Sequence, residues 1–142
     1  MEPRISIITL GVGDLDKSCA FYSDGLGFPT SRKAGEGIAF FRTSGACLAL
    51  YPLKELAADI GPKFSVTQQG FSGVTLAHNV RTREEVDSVL SLAEQAGAKI
   101  EEAAQDTFWG GYSGYFSDLD GYLWEIAWGA FEFNEDGSLK IT

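Results

Sequence analysis

The chain has 142 residues, of which 44% are hydrophobic and 13% aromatic, enough for one globular domain or two small modules that share a core. Its 20 acidic residues outnumber its 11 basic residues and give a formal net charge of −9, which disfavours nucleic acid and anionic membranes as partners. No apolar run approaches the roughly 20 residues of a membrane span, and Met1 to Arg4 lack the apolar segment of a signal peptide, so we expect a cytoplasmic protein.

The first part of the chain predicts a strand, a helix and two further strands. Residues 5–12 form an apolar run that is short enough for a strand, and Asp14 is a suitable N-cap for a helix over residues 15–24. Two strands are predicted at residues 37–43 and 46–52, around a Ser-Gly turn. These elements make up a first module of about residues 4–52.

The next stretch, residues 53–71, is predicted to be a linker. It holds charged residues and few apolar anchors, with one short helical turn at residues 54–59.

The same order of elements then starts again. Residues 73–80 predict a strand, and the sequence Thr-Arg-Glu-Glu at 82–85 matches a capping box that opens a helix ending at Gly97. Further strands are predicted at residues 99–103, 112–117 and 122–128. We therefore expect a second module of about residues 72–129, followed by a C-terminal extension over residues 130–142.

A glycine-hinged aromatic loop precedes the last hairpin. Within residues 104–114, three glycines accompany Phe108, Trp109 and Tyr112. Such a loop suits a stacking wall over an apolar or aromatic ligand, and it equally suits an aromatic plug that closes the protein's core. The sequence leaves both interpretations open.

Glu125 is the one carboxylate in the apolar run of the last strand. Burying a carboxylate without a partner costs several kcal/mol, so this side chain needs a hydroxyl partner, a proton or a metal. The hydroxyl groups of Thr9, Thr75 and Tyr115 are candidates for the partner. Side chains alternate along a strand, so Trp124, Ile126 and Trp128 are predicted to face away from the side on which Glu125 lies.

Two tandem β-α-β-β-β modules are the resulting prediction, and they resemble the vicinal-oxygen-chelate superfamily. Residues 8–18 and 21–28 are similar to the opening of that superfamily, which includes glyoxalase I, extradiol dioxygenases, fosfomycin-resistance enzymes and bleomycin-binding proteins. The Asp-Leu-Asp-Gly turn at 118–121, followed by the strand with Glu125, is similar to its closing hairpin, with Leu119 in place of the usual proline. The resemblance implies an α+β fold for residues 1–142, in which a mixed β-sheet with flanking helices curves into a cup around a ligand.

The resemblance also identifies the positions that bind a metal in metal-dependent members. These four positions correspond to Ile7, Ala49, Gly73 and Glu125, and only the last of them has a side chain that can ligate. His78, the single histidine, is predicted to point at the helix layer by strand alternation. We therefore predict no cofactor and no metal; a metal, if bound, would use Glu125 and His78.

Two functions follow as hypotheses. The first is a metal-free small-molecule-binding protein of the bleomycin-resistance type, with an apolar or aromatic ligand in the cup. The alternative is a glyoxalase-like lyase or isomerase, or a dioxygenase-like enzyme, in which Glu125 acts as a catalytic base or as the remaining metal ligand. We also expect a homodimer, because each module leaves an open sheet edge. The predicted ligand pocket consists of Thr9, Ala49, Tyr51, Thr75, Trp109, Tyr112, Tyr115 and Glu125.

Overall fold

The computed structural model describes residues 1–63 and 70–141, and the contacts in it divide the chain into two units, Met1–Ser72 and Gly73–Thr142. Each unit has its own mixed β-sheet and at least one helix. The predicted α+β fold class is therefore confirmed.

In the described residues of the first unit there are three strands and two α-helices. In chain order they are β1 (Ile7–Val12), α1 (Leu15–Ala20), β2 (Ala39–Phe41), β3 (Cys47–Pro52) and α2 (Leu53–Ile60). The sheet has the order β1-β3-β2, with β1 parallel to β3 and β2 antiparallel to β3. The first and last strands of the predicted module are therefore neighbours.

The connection from α1 to β2 differs from the prediction in two ways. The helix begins as expected, because the Asp14 carboxylate accepts a hydrogen bond from the backbone N–H of Lys17 at 3.0 Å. After Ala20 it changes to a π-helical turn over Phe21–Gly25. Where a β-α-β-β-β module has its second strand, this chain has a bridge between Thr30 and Phe41. The strand order of the module is therefore kept, but the edge of the sheet beside β2 is shorter.

The core of the first unit lies between its sheet and α1. Its largest fully buried side chains come from the π-helical turn and the three strands: Val12, Tyr22, Phe41 and Leu50. The Tyr22 ring contacts the ring of Phe41 at 5.8 Å and that of Phe28 at 5.9 Å between centroids. Alternate residues of β1 and β3 thus supply the apolar layer that the sequence pattern indicates.

Helix α2 occupies the start of the predicted linker. It packs on β1 and β3, and a Cβ placed at Gly11 would lie 2.5 Å from Cδ1 of Leu53. A side chain at position 11 would therefore force the Leu53 side chain to move. Residues 64–69 of the predicted linker lie outside the described residues, and the boundary between the two units falls after Ser72.

The second unit contains one helix and four strands. They are β4 (Thr75–Val80), α3 (Arg83–Ala96), β5 (Lys99–Asp106), β6 (Tyr112–Ser117) and β7 (Leu123–Trp128). The sheet order is β4-β7-β6-β5, with β4 parallel to β7 and the other pairs antiparallel. Strand β5 is longer than predicted because two register shifts let it continue to Asp106.

Local chemistry fixes both ends of α3. Thr82 and Glu85 form the predicted capping box, and Gly97 ends the helix with a φ of 110°, which a residue without a Cβ adopts at no steric cost. The helix buries Leu90 and neighbouring apolar residues against the sheet. Among the described residues, no helix is long and apolar enough to cross a membrane.

Candidate functional site

The sheet of the second unit has one face under α3 and one face free of it. The Tyr112 hydroxyl donates to Asp87 of α3 at 2.9 Å, and a Cβ at Gly114 would lie 2.7 Å from Leu90 of the same helix. Because side chains alternate along a strand, Ser113, Tyr115 and Ser117 lie on the opposite face. We call this opposite face of β4, β7, β6 and β5 the open face.

Glu125 lies on the open face, opposite Tyr115 in the β6–β7 pair. Trp124 and Ile126 lie on the helix face, where they are 8% and 1% exposed. The ring of Trp124 stacks on Phe116, with 6.2 Å between centroids and 6° between planes. The alternation therefore separates the carboxylate from its apolar neighbours, as the sequence predicts.

The neighbour of Glu125 on this face is Tyr115, directly opposite it in the β6–β7 ladder. Burial, followed by the negative charge of Glu125, raises the pKa of this tyrosine. Both side chains are half-buried. A carboxylate has about four lone-pair sites, so Glu125 has capacity to accept hydrogen bonds from a ligand.

A second carboxylate lies on the other side of Tyr115. Glu102 pairs with Tyr115 across the β5–β6 ladder, its charge also raises the pKa of Tyr115, and it accepts a hydrogen bond from the Gln105 side chain. Ala77, Glu125, Tyr115 and Glu102 thus form one row across the four strands. This row favours hydrogen-bond donors and cations over anions.

Glu101 and Glu102 both lie in β5. Their positions depend on the register shifts within β5, and no residue pattern in that segment predicts these shifts. Glu101 accepts a hydrogen bond from Ser117 at 2.8 Å and pairs with Lys99 at 3.0 Å. These two contacts, that of Ser117 first, lower the pKa of the Glu101 carboxyl.

Trp109 lies at one end of the open face, on a platform of two glycines. Cβ atoms placed at Gly111 and Gly129 would be 1.9 and 2.7 Å from carbon atoms of the Trp109 indole. The ring also contacts Phe131, with 6.0 Å between centroids, and the residue is 44% exposed. Tyr115 is four positions further along the chain than Gly111, which is about 13 Å at roughly 3.3 Å per residue of extended strand.

The loop that carries Trp109 is held by Thr107. The backbone N–H of Thr107 donates to the carbonyl of Gly111 at 2.9 Å, and the N–H of Gly111 donates to the Thr107 hydroxyl at 2.9 Å. Phe108, at the tip, is fully exposed. The loop therefore directs one aromatic side chain onto the glycine platform and the other away from the protein.

The remaining predicted pocket residues of the second unit lie on different faces. Thr75 is exposed on β4, with the same alternation as Ala77. Tyr112 lies on the helix face, where the Arg83 guanidinium stands 4.3 Å from the centre of its ring. Tyr112 and Tyr115 are three residues apart on one strand, so strand alternation alone could have separated them.

The first unit also has a sheet face opposite its core. By alternation with the core residues Leu10, Leu48 and Leu50, this face carries the other predicted pocket residues of the unit, Thr9, Ala49 and Tyr51. Thr9 pairs with Ala49, and Ala49 pairs with Phe40 of β2. Ala49 is fully buried, whereas Phe40 is 47% exposed. The face is apolar around a single threonine.

The side chains at the four predicted metal-ligand positions do not fit a metal ion. Ile7 and Ala49 are strand residues without donor atoms, and Gly73 lies two residues before β4. The β4 residue that pairs with Glu125 is Ala77. In the described part of the chain, no three His, Cys, Asp or Glu side chains form a group that could hold a metal.

His78 lies on the helix side of β4. Burial lowers its pKa, while the charge of Glu85, in the first turn of α3, acts in the opposite direction. Although part of its surface stays accessible, its neighbour Ala77 lies on the Glu125 side of the sheet, so His78 projects away from the carboxylate.

Comparisons with known proteins agree with this architecture. The sequence profile of the glyoxalase/bleomycin resistance protein/dioxygenase superfamily matches residues 4–126. No match was found among the curated proteins.

Several solved structures are similar to the chain. A glyoxalase-related enzyme from Fulvimarina pelagi is 34% identical with a TM-score of 0.87, and the match covers 99% of each chain. Lactoylglutathione lyase from Agrobacterium tumefaciens is 24% identical with a TM-score of 0.67, over 91% of this chain and 96% of the other. The hypothetical protein SA1046 from S. aureus is 24% identical with a TM-score of 0.74, over 91% and 95%. At 24% identity, the last two show the fold alone.

Proposed function

The chain belongs to the glyoxalase/bleomycin resistance protein/dioxygenase superfamily, and from this premise we propose that it is a small-molecule-binding protein that holds its ligand on the open face without a metal. One fold in such a superfamily hosts many activities, so the function of this chain depends on the residues of its site.

The observation that carries the proposal is the pair of Tyr115 and Glu125, which lie opposite each other in the β6–β7 ladder. The pair sits half-buried on a sheet face that α3 does not cover. Burial strengthens a hydrogen bond to a carboxylate, because water competes less well for it. The Glu125 carboxylate offers its lone pairs to a donor group of a ligand.

The rest of the open face indicates what the apolar part of the ligand would contact. Trp109 offers an indole that is partly accessible, on a glycine platform that begins about 13 Å along the strand from Tyr115. The small residues between them, Ser113 and Ala127, are 7% and 1% exposed, so the larger side chains of the open face must supply the ligand contacts. A flat or aromatic body with a hydrogen-bond donor at the Glu125 end matches this arrangement.

The donor chemistry supports binding without a metal. Ala77 beside Glu125 adds no ligand, and the Tyr115 phenol keeps its proton because its pKa is raised. Zinc and similar ions normally require two or three nitrogen, oxygen or sulfur ligands to compete with water. A single carboxylate does not meet this requirement.

The test measures binding and stability in two variants. Benzamidine and indole are titrated against the protein, the first because its amidinium donates to a carboxylate and the second as a ring without that group. Trp109→Ala should weaken both by about 1–3 kcal/mol through lost stacking and burial. Glu125→Gln should keep the fold, since the amide is nearly isosteric, and should weaken benzamidine by about 1 kcal/mol or more.

Two matched controls accompany these variants. Phe108→Ala removes the fully exposed aromatic residue beside Trp109, and Glu94→Gln removes an exposed carboxylate on α3; neither should change binding. If Trp109→Ala lowers the melting temperature by several degrees and leaves both affinities unchanged, the loop is a plug and the proposed site is wrong.

A second candidate is an enzyme of the glyoxalase kind, in which Glu125 is a general base for a small carbonyl or epoxide substrate. It is favoured by the similarity to the glyoxalase-related enzyme from Fulvimarina pelagi. Turnover of such a substrate that persists in EDTA and disappears in Glu125→Gln would support this candidate. Turnover that needs an added metal would contradict both functions as stated here.

A further inference from the structure

The C-terminal segment after β7 is folded onto the second unit. Residues 130–141 form a hairpin closed by a bridge between Phe133 and Leu139. The hairpin is anchored at the loop before α3, where the Arg81 guanidinium lies 4.6 Å from the centre of the Phe133 ring. This geometry is a cation–π contact, which stabilises the hairpin in one place.

This hairpin lies beyond the part of the chain that follows the superfamily pattern, which ends at residue 126. The Tyr115–Glu125 pair lies inside that part, and Phe131 lies outside it. What the hairpin contributes therefore lies outside the residues that the superfamily profile matches.

Phe131 is the residue of the hairpin that reaches the Trp109 indole. Their centroids are 6.0 Å apart with 45° between the ring planes. Two carbon atoms of the Phe131 ring also lie 3.4 Å from the position of a Cβ at Gly129. Trp109 and Phe131 thus share the glycine platform, and each limits where the other can lie.

We propose that Phe131 is a positioning residue, which holds Trp109 over the end of the open face and thereby sets the length of ligand that the site accepts. The role in specificity rests on the proposed function; the positioning of Trp109 does not. Gly111 and Gly129 support the indole from below but present no side chain that could stop it from turning sideways. Phe131 supplies that side contact.

The positioning can be measured without any ligand. The protein is labelled with 5-fluorotryptophan, and its three tryptophans give separate ¹⁹F NMR signals, with that of Trp109 assigned by its loss in Trp109→Phe. In Phe131→Ala, the Trp109 signal should shift, and its H₂O/D₂O isotope effect should rise towards the value of an exposed indole. The Trp124 signal should stay unchanged.

Two further variants make this result specific. Gly129→Ala places a methyl group 2.7 Å from the indole and meets only side-chain atoms, so it should move the Trp109 signal as Phe131→Ala does. Phe108→Ala changes a fully exposed ring of the same loop and should leave the signal in place. Gly129→Ala thus shows that the signal reports on the position of the indole, and an unchanged Trp109 signal in Phe131→Ala would overturn the inference.

The effect on specificity is measured with benzamidine and the longer 2-naphthamidine. A lost aromatic contact of this kind shifts an equilibrium by about two- to tenfold, so the ratio of the two dissociation constants should change by that factor in Phe131→Ala. A ratio that stays constant while the Trp109 signal moves overturns the role in specificity. If neither amidine binds the wild-type protein, the proposed function fails together with that role, while the ¹⁹F result still decides the positioning.

Discussion

Gly114→Ala tests the packing that places Tyr115 and Glu125 on the open face. A Cβ at position 114 would lie 2.7 Å from Leu90 of α3, 2.8 Å from the carbonyl oxygen of Glu102 and 3.0 Å from the backbone nitrogen of Ala104. The leucine end can move, but the two backbone atoms belong to the irregular part of β5 and have less freedom. The added methyl group must therefore push either α3 or β5 away from β6.

The magnitude follows from two opposing effects. Overpacking a core by one methyl group destabilises by about 1–3 kcal/mol, and contact with backbone atoms favours the upper part of that range. Alanine also restricts the unfolded chain, which offsets about 0.4–1 kcal/mol. We expect a net loss of about 2 kcal/mol, which corresponds to a melting temperature lower by about 4–10 °C for a chain of this size.

Urea unfolding and thermal melting, both followed by circular dichroism, measure this change. Gly37→Ala is the matched control, because no atom lies within 4 Å of its Cβ position and its φ is not positive; its stability should stay the same or rise slightly. A change in Gly114→Ala below about 0.5 kcal/mol, the range of ordinary surface substitutions, would show that α3 does not seat on β6 as described.

Four other predictions concern the fold and the site. Thr82→Ala removes one half of the capping box and should lower the free energy of unfolding by about 1 kcal/mol in urea. The raised pKa of Tyr115 means that the folded protein holds this proton more tightly than the unfolded chain does. Its contribution to stability is therefore complete below about pH 10 and falls as the pH rises further. Between about pH 9 and 11, Tyr115→Phe should lose less stability than the wild-type protein when melting temperatures are measured as a function of pH. Elemental analysis after dialysis should find less than a tenth, roughly, of an equivalent of Zn, Ni, Fe or Mn, because normal sites need several ligands; near one equivalent would refute metal-free binding. Light scattering should give the mass of a homodimer, because β1 and β4 are edge strands with exposed Ile7 and Val74 beside them, and a monomeric mass would contradict this.

Features that depend on neighbouring residues in the sequence could be predicted. The capping box at Thr82 and the left-handed Gly97 follow from backbone groups that lack partners at helix ends, and both are found. The strand alternation around Glu125 also holds, with Trp124 buried under α3 and the carboxylate on the other face. In each case, the residues that decide the structure lie within a few positions of one another.

Features that depend on contacts between distant segments could not be predicted. The register shifts that bring Glu102 beside Tyr115 come from the pairing of β5 with β6, and no local pattern specifies them. The platform of Gly111 and Gly129 requires two strands to meet before the Trp109 indole can lie on it. The position of Tyr112, in contrast, could have been predicted. The same strand alternation that places Glu125 on the open face places Tyr112 on the helix face.

The parallel pairing of the first and last strand in each unit affects the order in which the chain folds. In both sheets the last strand lies between the first strand and the others. During synthesis, β4 therefore emerges from the ribosome long before β7, with which it pairs in the sheet, and the backbone groups of this pairing lack their partners meanwhile. Because such non-local pairing is slow to form, a ribosome stalled before Leu123 would hold a second unit that has its helix but no closed sheet, and this nascent chain should be sensitive to protease until the last strand is added.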